Sequence, residues 1–239
     1  MAFNNNSVNE AEAFVYARTA SGVDYSTLVS YAGAKRADIV IPTIVNGQNL
    51  KTIGDSTFKY CYLSGSIKIP ATVSKIGSQA FSLNSISKVD NGDGNLVDGF
   101  VFARKNDGGI DYTNILTYAN SYSNVVVPDG VITISPSAFY YTYIKSVQMP
   151  EGLKTIGSSA FDICALKGTV VIPSTVETIG ANAFRKEVLW SSFNGDLTKI
   201  VNKTGRVFDW KAITKGSAAA TFETGIAKNP YGNIEITKE

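Results

Sequence analysis

The sequence predicts a repeat solenoid of the α/β type, in which short parallel strands alternate with helical or 3-10 turns and inserted β-hairpins interrupt the stack. Three observations predict it. The pattern Pro-x-x-Val-x-x-Ile-Gly-x-x-Ala-Phe, or a close variant of it, recurs from Pro70 to Phe81, Pro128 to Phe139, Pro150 to Phe161 and Pro173 to Phe184. Its Phe positions keep a near-constant step, 23 residues from Phe58 to Phe81, 22 from Phe139 to Phe161 and 23 from Phe161 to Phe184. Above this lies a longer repeat: Phe14-Val15-Tyr16-Ala17-Arg18 returns as Phe100-Val101-Phe102-Ala103-Arg104, an offset of 86. Periods of the shorter kind mark architectures in which each unit buries its apolar side only against its neighbours.

In chain order, residues 1–13 read as an N-terminal arm, and a hairpin follows. Two alternating stretches flank the turn Thr19-Ala20-Ser21-Gly22, and its later copy turns at Lys105-Asn106-Asp107-Gly108-Gly109, where Asp-Gly is the turn signal. Each hairpin opens a super-unit, 14–89 with two repeats and 100–188 with three. Before each Pro the chain alternates apolar and variable residues, as in Ile39-Val40-Ile41, Ile67-Lys68-Ile69, Val125-Val126-Val127, Val147-Gln148-Met149 and Val170-Val171-Ile172. Period two with β-branched residues is a strand, and Pro, lacking an N–H, ends it. Stacked repeats set these strands side by side at about 4.8 Å. The Ile-Gly step then turns the chain. The Ala-Phe pair is placed on a short helical or 3-10 turn, with the ring inside and Ala where a larger side chain would meet the adjacent coil.

Length variation has a local cause. The longer repeats carry Gly65 or Gly168 where the shorter one runs Ile144-Lys145-Ser146-Val147, and Gly absorbs an extra position by a bulge or a positive φ. The first repeat holds an insertion around Val45-Asn46-Gly47-Gln48-Asn49, with Thr57 in place of Ala, and Ser135 replaces Gly in the third. After Phe184 the pattern decays. Leu197–Val201 reads as one more strand, residues 189–239 as a C-terminal cap and tail, and Lys228–Asn233 as the start of a linker.

The combination Ile-x-Ile-Pro-x-x-Val-x-x-Ile-Gly-x-x-Ala-Phe-x-x-Cys, with hairpins of the type Val97-Asp98-Gly99-Phe100-Val101-Phe102, resembles the BspA-like, or Treponema pallidum-type, leucine-rich repeats. The resemblance spans roughly residues 14–188. It implies a bacterial cell-surface or secreted protein, non-enzymatic, that takes part in adhesion or protein recognition. The implied partner is a protein on host matrix or on another cell. The position of the motif Cys holds Asn84, Thr142 and Glu187 in other repeats.

Composition excludes several classes. A net charge of +2 with 18% charged residues supplies no basic field for nucleic acid or anionic membrane. No apolar run approaches the roughly 18 residues of a membrane span, and Met1–Asn6 lacks the charged and apolar regions of a signal peptide. A chain that opens almost directly on a hairpin is expected to be a piece whose export signal and anchor lie elsewhere. With no His, Ser-His-Asp and Cys-His chemistry is unavailable, and no cofactor is expected. Asp90-Asn91-Gly92-Asp93-Gly94-Asn95 superficially matches a calcium loop, yet it puts Leu96 at the sharp-turn Gly position and Phe102 where a bidentate Glu is needed. It reads as a turn-rich link. Cys61 and Cys164 are separated by at least three repeat steps, about 15 Å at strand spacing, against about 7 Å for a bridge; buried free thiols are expected.

Binding residues follow from repeat position. Mid-strand residues point away from the core, giving a stripe of Val40, Lys68, Val126, Gln148 and Val171. Tyrosines cluster after the motif Phe. Tyr60 and Tyr141 align with Leu83 and Ile163 and are expected to flank the core. Tyr62, Tyr140 and Tyr143 align mostly with Ser, Ala, Lys or Asp and are expected to be exposed, the type of ring favoured at interfaces. The candidate ligand-binding set is therefore Tyr62, Tyr140, Tyr143, Lys68 and Gln148. A carbohydrate ligand, or a purely structural spacer role, is the alternative.

Overall fold

The computed structural model describes residues 13–33, 37–120, 122, 124–185, 196–214, 221–222, 225–227 and 234–238. They fall into two compact units, Met1–Asp111 with Thr117–Asn120, and Tyr112–Leu116 with Ser121–Glu239. Residues 1–12 of the expected arm at 1–13, Glu187, Lys228–Asn233 and other parts of the expected C-terminal cap and tail at 189–239 lie outside the described residues.

The first unit opens on an antiparallel hairpin, strand Phe14–Thr19 against Gly22–Tyr31, with Phe14 opposite Tyr31 and Thr19 opposite Gly22. Coils then stack on it through parallel pairing, Leu28 with Ile53 and Ile53 with Ile76. On a second side of the same coils, Val40 bridges to Lys68, and strand Ser64–Lys68 pairs with Ser85–Asp90. In the second unit Ile115, Ile134, Ile156 and Ile179 form the corresponding ladder. Strand Asn124–Val126 pairs with Ser146–Gln148, and Gly168–Ile172 with Leu197–Asn202. Each coil therefore carries two strand segments, one before Pro and one ending at the Ile of Ile-Gly. The second was read from sequence only as a turn, because two residues are too few for an alternation to show.

Both length-absorbing glycines behave as read. Gly65 and Gly168 have φ of 71° and 65°, and the strand register shifts between Gly65 and Ser66 and between Gly168 and Thr169. The insertion is a two-residue hairpin: Val45 pairs with Gln48 across Asn46 and Gly47, whose φ values are 51° and 77°. Two successive positive φ values define the type I′ turn that Asn-Gly favours.

The Ala-Phe segment departs from expectation. It is not helical but a pair of linked turns: Ala160 N–H donates to Gly157 O and Asp162 N–H to Ser159 O. Left-handed residues flank the ring two positions to either side, Ser159 and Ile163 around Phe161 and Gln79 and Leu83 around Phe81. The reason lies in where the amides go. Ser159 N–H donates to Ala181 O and Phe161 N–H to Ala183 O, both at 2.9 Å, so alternate amides cross to the next coil. A helix would turn those donors along its own axis. Each left-handed residue costs about 1–2 kcal/mol. An inter-coil bond contributes about 1 kcal/mol, and a buried Phe about 1.5–3 kcal/mol, so the bonds and the ring together outweigh the strain.

The rings form the axis of each core. Phe58 and Phe81 stack at 5.0 Å in the first unit, and Phe139, Phe161 and Phe184 at 4.8 and 5.3 Å in the second. Past Phe184, the short helix Trp210–Thr214 stands in for a coil: Asn182 N–H donates to Ala212 O and Phe184 N–H to Ile213 O. Asp209 caps it through Ala212 N–H at 3.0 Å. The expected extra strand is present as Leu197–Asn202, and Ile234–Lys238 pairs with it in parallel.

Candidate functional site

The motif Phe turns inward, so the residues after it emerge on the coil's outer side. Tyr60 and Tyr62 are 54% and 67% exposed, and their rings meet edge to face at 5.1 Å, interplanar angle 80°. Both sit on left-handed backbone, φ 62° and 55°. A hydrogen bond with the Tyr60 hydroxyl is the main cause that raises the Tyr62 phenol above its ordinary value. The exposure of Tyr60 corrects the expectation that it flanks the core. Among its counterparts Ile163 is buried and Leu83 and Tyr141 are half-buried, whereas the Tyr60 ring lies outside against Tyr62.

In the second unit Tyr143 is 45% exposed. Tyr140, expected outside, is half-buried and lies 6.2 Å from the half-buried ring of Tyr141. Tyr62 and Lys68 thus belong to the first unit, and Tyr140, Tyr143 and Gln148 to the second.

The mid-strand stripe is exposed throughout, at Val40, Lys68, Val126, Gln148 and Val171. Lys68 carries an ion pair with Asp90 at 3.7 Å, and Val126 and Gln148 are register partners. The Asp90–Asn95 stretch spends its acceptors internally. Asp90 accepts from the Gly92 and Gly94 amides at 2.7 and 2.9 Å, and Asp93 from the Asn95 amide at 3.0 Å. Asn91 is buried, donating to Phe100 O and accepting from Phe102 N–H. Among the described residues no cluster of His, Cys, Asp and Glu has the arrangement of a metal site.

The position three residues after the motif Phe has a shared task. Asn84 donates to Phe58 O and Phe81 O at 2.8 Å each and accepts from Leu63 N–H. Thr142 donates to Phe139 O at 2.9 Å, and Cys164 donates to the same oxygen at 3.0 Å. Cys, Asn and Thr interchange here because each satisfies a carbonyl at the ring. Neither cysteine is in a disulfide, and as residues they are half-buried rather than buried. Burial nonetheless pushes the Cys164 thiol up to about 12.

The family comparison agrees with this architecture. Residues 35–104 and 112–206 match the BspA type leucine rich repeat region, in six copies. Among solved structures, a leucine rich cell surface protein from Faecalibacterium prausnitzii is 21% identical, with 97% of this chain and 59% of that one covered and a TM-score of 0.45. The pneumococcal vaccine antigen PcpA is 19% identical over 67% of this chain and 44% of that one, TM-score 0.43. A leucine rich repeat protein of T. pallidum is 19% identical over 80% and 69%, TM-score 0.34. The chain spans less than two thirds of the first two. No curated protein matches this sequence. Among the described residues no helix is long and apolar enough to cross a membrane.

Proposed function

The chain belongs to the BspA-type leucine-rich-repeat family, and from that premise we propose that it is a non-enzymatic recognition module acting at a bacterial surface, where it binds a protein on host matrix or on another cell. The observation that carries the reading is the exposed, mutually supported pair Tyr60 and Tyr62. Two large rings held apart from the core offer contact area at low entropy cost, with hydroxyls to fix orientation. Lys68 in the first unit, and Tyr143, Tyr140 and Gln148 in the second, extend the candidate surface on their own units.

The test uses purified chain against a panel of extracellular-matrix proteins and a glycan array. Binding to a matrix protein, lost in Tyr60→Ser/Tyr62→Ser with the melting temperature unchanged, supports the reading. Anchor rings of this kind are each worth about 2 kcal/mol or more in binding. Binding to glycans alone would move the assignment to a carbohydrate module. Binding to neither would favour a spacer.

A further inference from the structure

The two hairpins are built alike, yet one of them is covered. In both, the amide that closes the base of the hairpin makes the same bond: Ala32 N–H donates to Ala13 O at 2.7 Å, and Ala119 N–H to Gly99 O at 2.8 Å. Phe14 and Phe100 are buried in equivalent places. The other side of the hairpin differs. Val101 is fully buried, whereas its counterpart Val15 is 43% exposed. Arg104 donates from Nε to Val73 O at 2.9 Å and from Nη2 to Asn91 O at 2.7 Å. Its counterpart Arg18 is exposed. Thr117 is buried with its hydroxyl 3.1 Å from that of Ser82, and Ala119 O accepts from Ile86 N–H at 3.0 Å. Ser30 and Ala32, the residues in those two places, are exposed.

The partners just named for the second hairpin's covered face, Val73, Ser82, Ile86 and Asn91, come from one stretch of the first unit, the coil that runs from Pro70 to Asn91. The recognition is half of backbone and half of side chain: two carbonyls for the guanidinium and one amide for a carbonyl, beside the Ser82 hydroxyl on Thr117 and the Asn91 amide group, which donates to Phe100 O and accepts from Phe102 N–H. Such a match asks of a coil both its shape and a polar side chain at the Ser82 and Asn91 places. The first hairpin keeps the same chemistry in place, an Arg at the same position, a Ser for Thr, and an apolar Val.

We propose that the outer face of the first hairpin, formed by Val15, Arg18, Ser30 and Ala32, is a docking surface for a further repeat coil of the Pro70–Asn91 kind, entering from the N-terminal side of Phe14. This does not depend on the recognition role proposed for the tyrosines. The guanidinium of Arg18 takes two of that coil's backbone carbonyls, and Val15 is sealed under it.

The probe is the chain's own coil. Residues 61–99 are placed a second time, in the position of residues 1–13, so that the added Gly99 joins Phe14 as the natural one joins Phe100. Val15→Cys is then alkylated in the natural and the extended chain and followed by peptide mass spectrometry, with Val101→Cys as a control for the fold. The expected result is rapid labelling of Val15→Cys in the natural chain and at least tenfold slower labelling in the extended chain, with Val101→Cys protected in both. Arg18→Ala is expected to leave the melting temperature of the natural chain unchanged and to lower that of the extended chain by about 2 °C or more. Equal labelling of Val15→Cys in both chains, with Val101→Cys still protected, would overturn the proposal. So would concentration-dependent protection of Val15→Cys in the natural chain, because the occupant would then be a second copy.

Discussion

A coil that follows a hairpin and a coil that follows another coil make the same backbone bond but meet different neighbours. Gly54 and Ser135 open onto hairpin strands, and their amides donate to Leu28 O and Ile115 O at 2.8 and 2.9 Å. Gly77, Gly157 and Gly180 open onto coils and donate to Ile53 O, Ile134 O and Ile156 O, each at 2.8 Å. What a side chain would meet is different. A Cβ at Gly157 would lie 2.4 Å from the Pro136 nitrogen, and one at Gly180 2.4 Å from the Ser158 nitrogen, while at Gly54 the nearest atom is Leu28 O at 3.2 Å. None of these four glycines has a positive φ. The motif glycine is thus required by the turn on the preceding coil, and a hairpin strand lacks that turn. This accounts for Ser135, whose hydroxyl uses the vacant space to donate to Asn114 at 2.7 Å.

The aromatic axis shows the same division. Coil-on-coil rings lie nearly parallel, with interplanar angles of 10°, 16° and 6°. Where Phe58 meets the hairpin, Tyr31 is tilted by 38° and Phe14 stands at 79°. The largest effect is expected from breaking the regular stack. Phe161→Ala removes a ring sandwiched by Phe139 and Phe184 and should cost about 3–5 kcal/mol in urea unfolding. A loss below about 1 kcal/mol would show that the ring is not core.

Next in size is Gly157→Ala, which forces backbone apart between two coils and should cost about 1–3 kcal/mol or more. Calorimetry or urea melts read it directly. A neutral result would mean that the coils separate freely and that close approach does not explain the glycine.

The strands before Pro, the core rings and the length-absorbing glycines were legible because each depends on local rules, alternation, β-branching and the freedom of Gly65 and Gly168. The turn at Ala-Phe was not. Its left-handed residues include Ser56, Gln79, Ser137 and Ser159 before the ring and Tyr60, Leu83, Tyr141 and Ile163 after it, types that, unlike Asn182, do not announce a positive φ, and the amides of Ser56, Ser137 and Ser159 bond to another coil. Tyr60 differs from its alignment with Ile163 for a related reason, since alignment compares positions and does not show the neighbouring ring of Tyr62 against which Tyr60 lies. The Asn46-Gly47 hairpin, by contrast, carried a readable signal in its own dipeptide. The candidate binding surface was legible only as exposure. Tyr62, Tyr143 and the strand stripe lie outside as read, whereas the half-burial of Tyr140 depends on how neighbouring side chains pack.

The cysteines extend the comparison to chemistry. Cys164 follows a coil, and its thiol reaches Phe139 O at 3.0 Å. Cys61 follows a hairpin, and its sulfur lies 3.8 Å from Tyr31 O. Burial holds the Cys164 thiol near 12 against an ordinary value of 9.0. The folded state therefore keeps a proton that the unfolded state loses, so this group leaves stability untouched below pH 9 and lowers it as pH rises toward 12. Alkylation requires thiolate. At about pH 8.5 Cys164 should label at least roughly tenfold more slowly than Cys61, as followed by peptide mass spectrometry. Equal rates would place the two thiols in the same environment and remove the distinction.

The smallest expected effect is the most discriminating, because it asks for a motif glycine to be dispensable. Gly54→Ala sets a methyl 3.2 Å from Leu28 O and 3.5 Å from the Thr57 hydroxyl, contacts that a few tenths of an ångström of movement relieve. Against that small strain, Ala reduces the freedom of the unfolded chain and returns about 0.4–1 kcal/mol. The two nearly cancel, and unfolding free energy should change by less than about 1 kcal/mol in either direction. Measured beside Gly157→Ala under identical conditions, Gly54→Ala tests whether the preceding element decides the residue. If both substitutions destabilise equally, the glycine serves its own coil, and the presence of Ser135 needs another explanation.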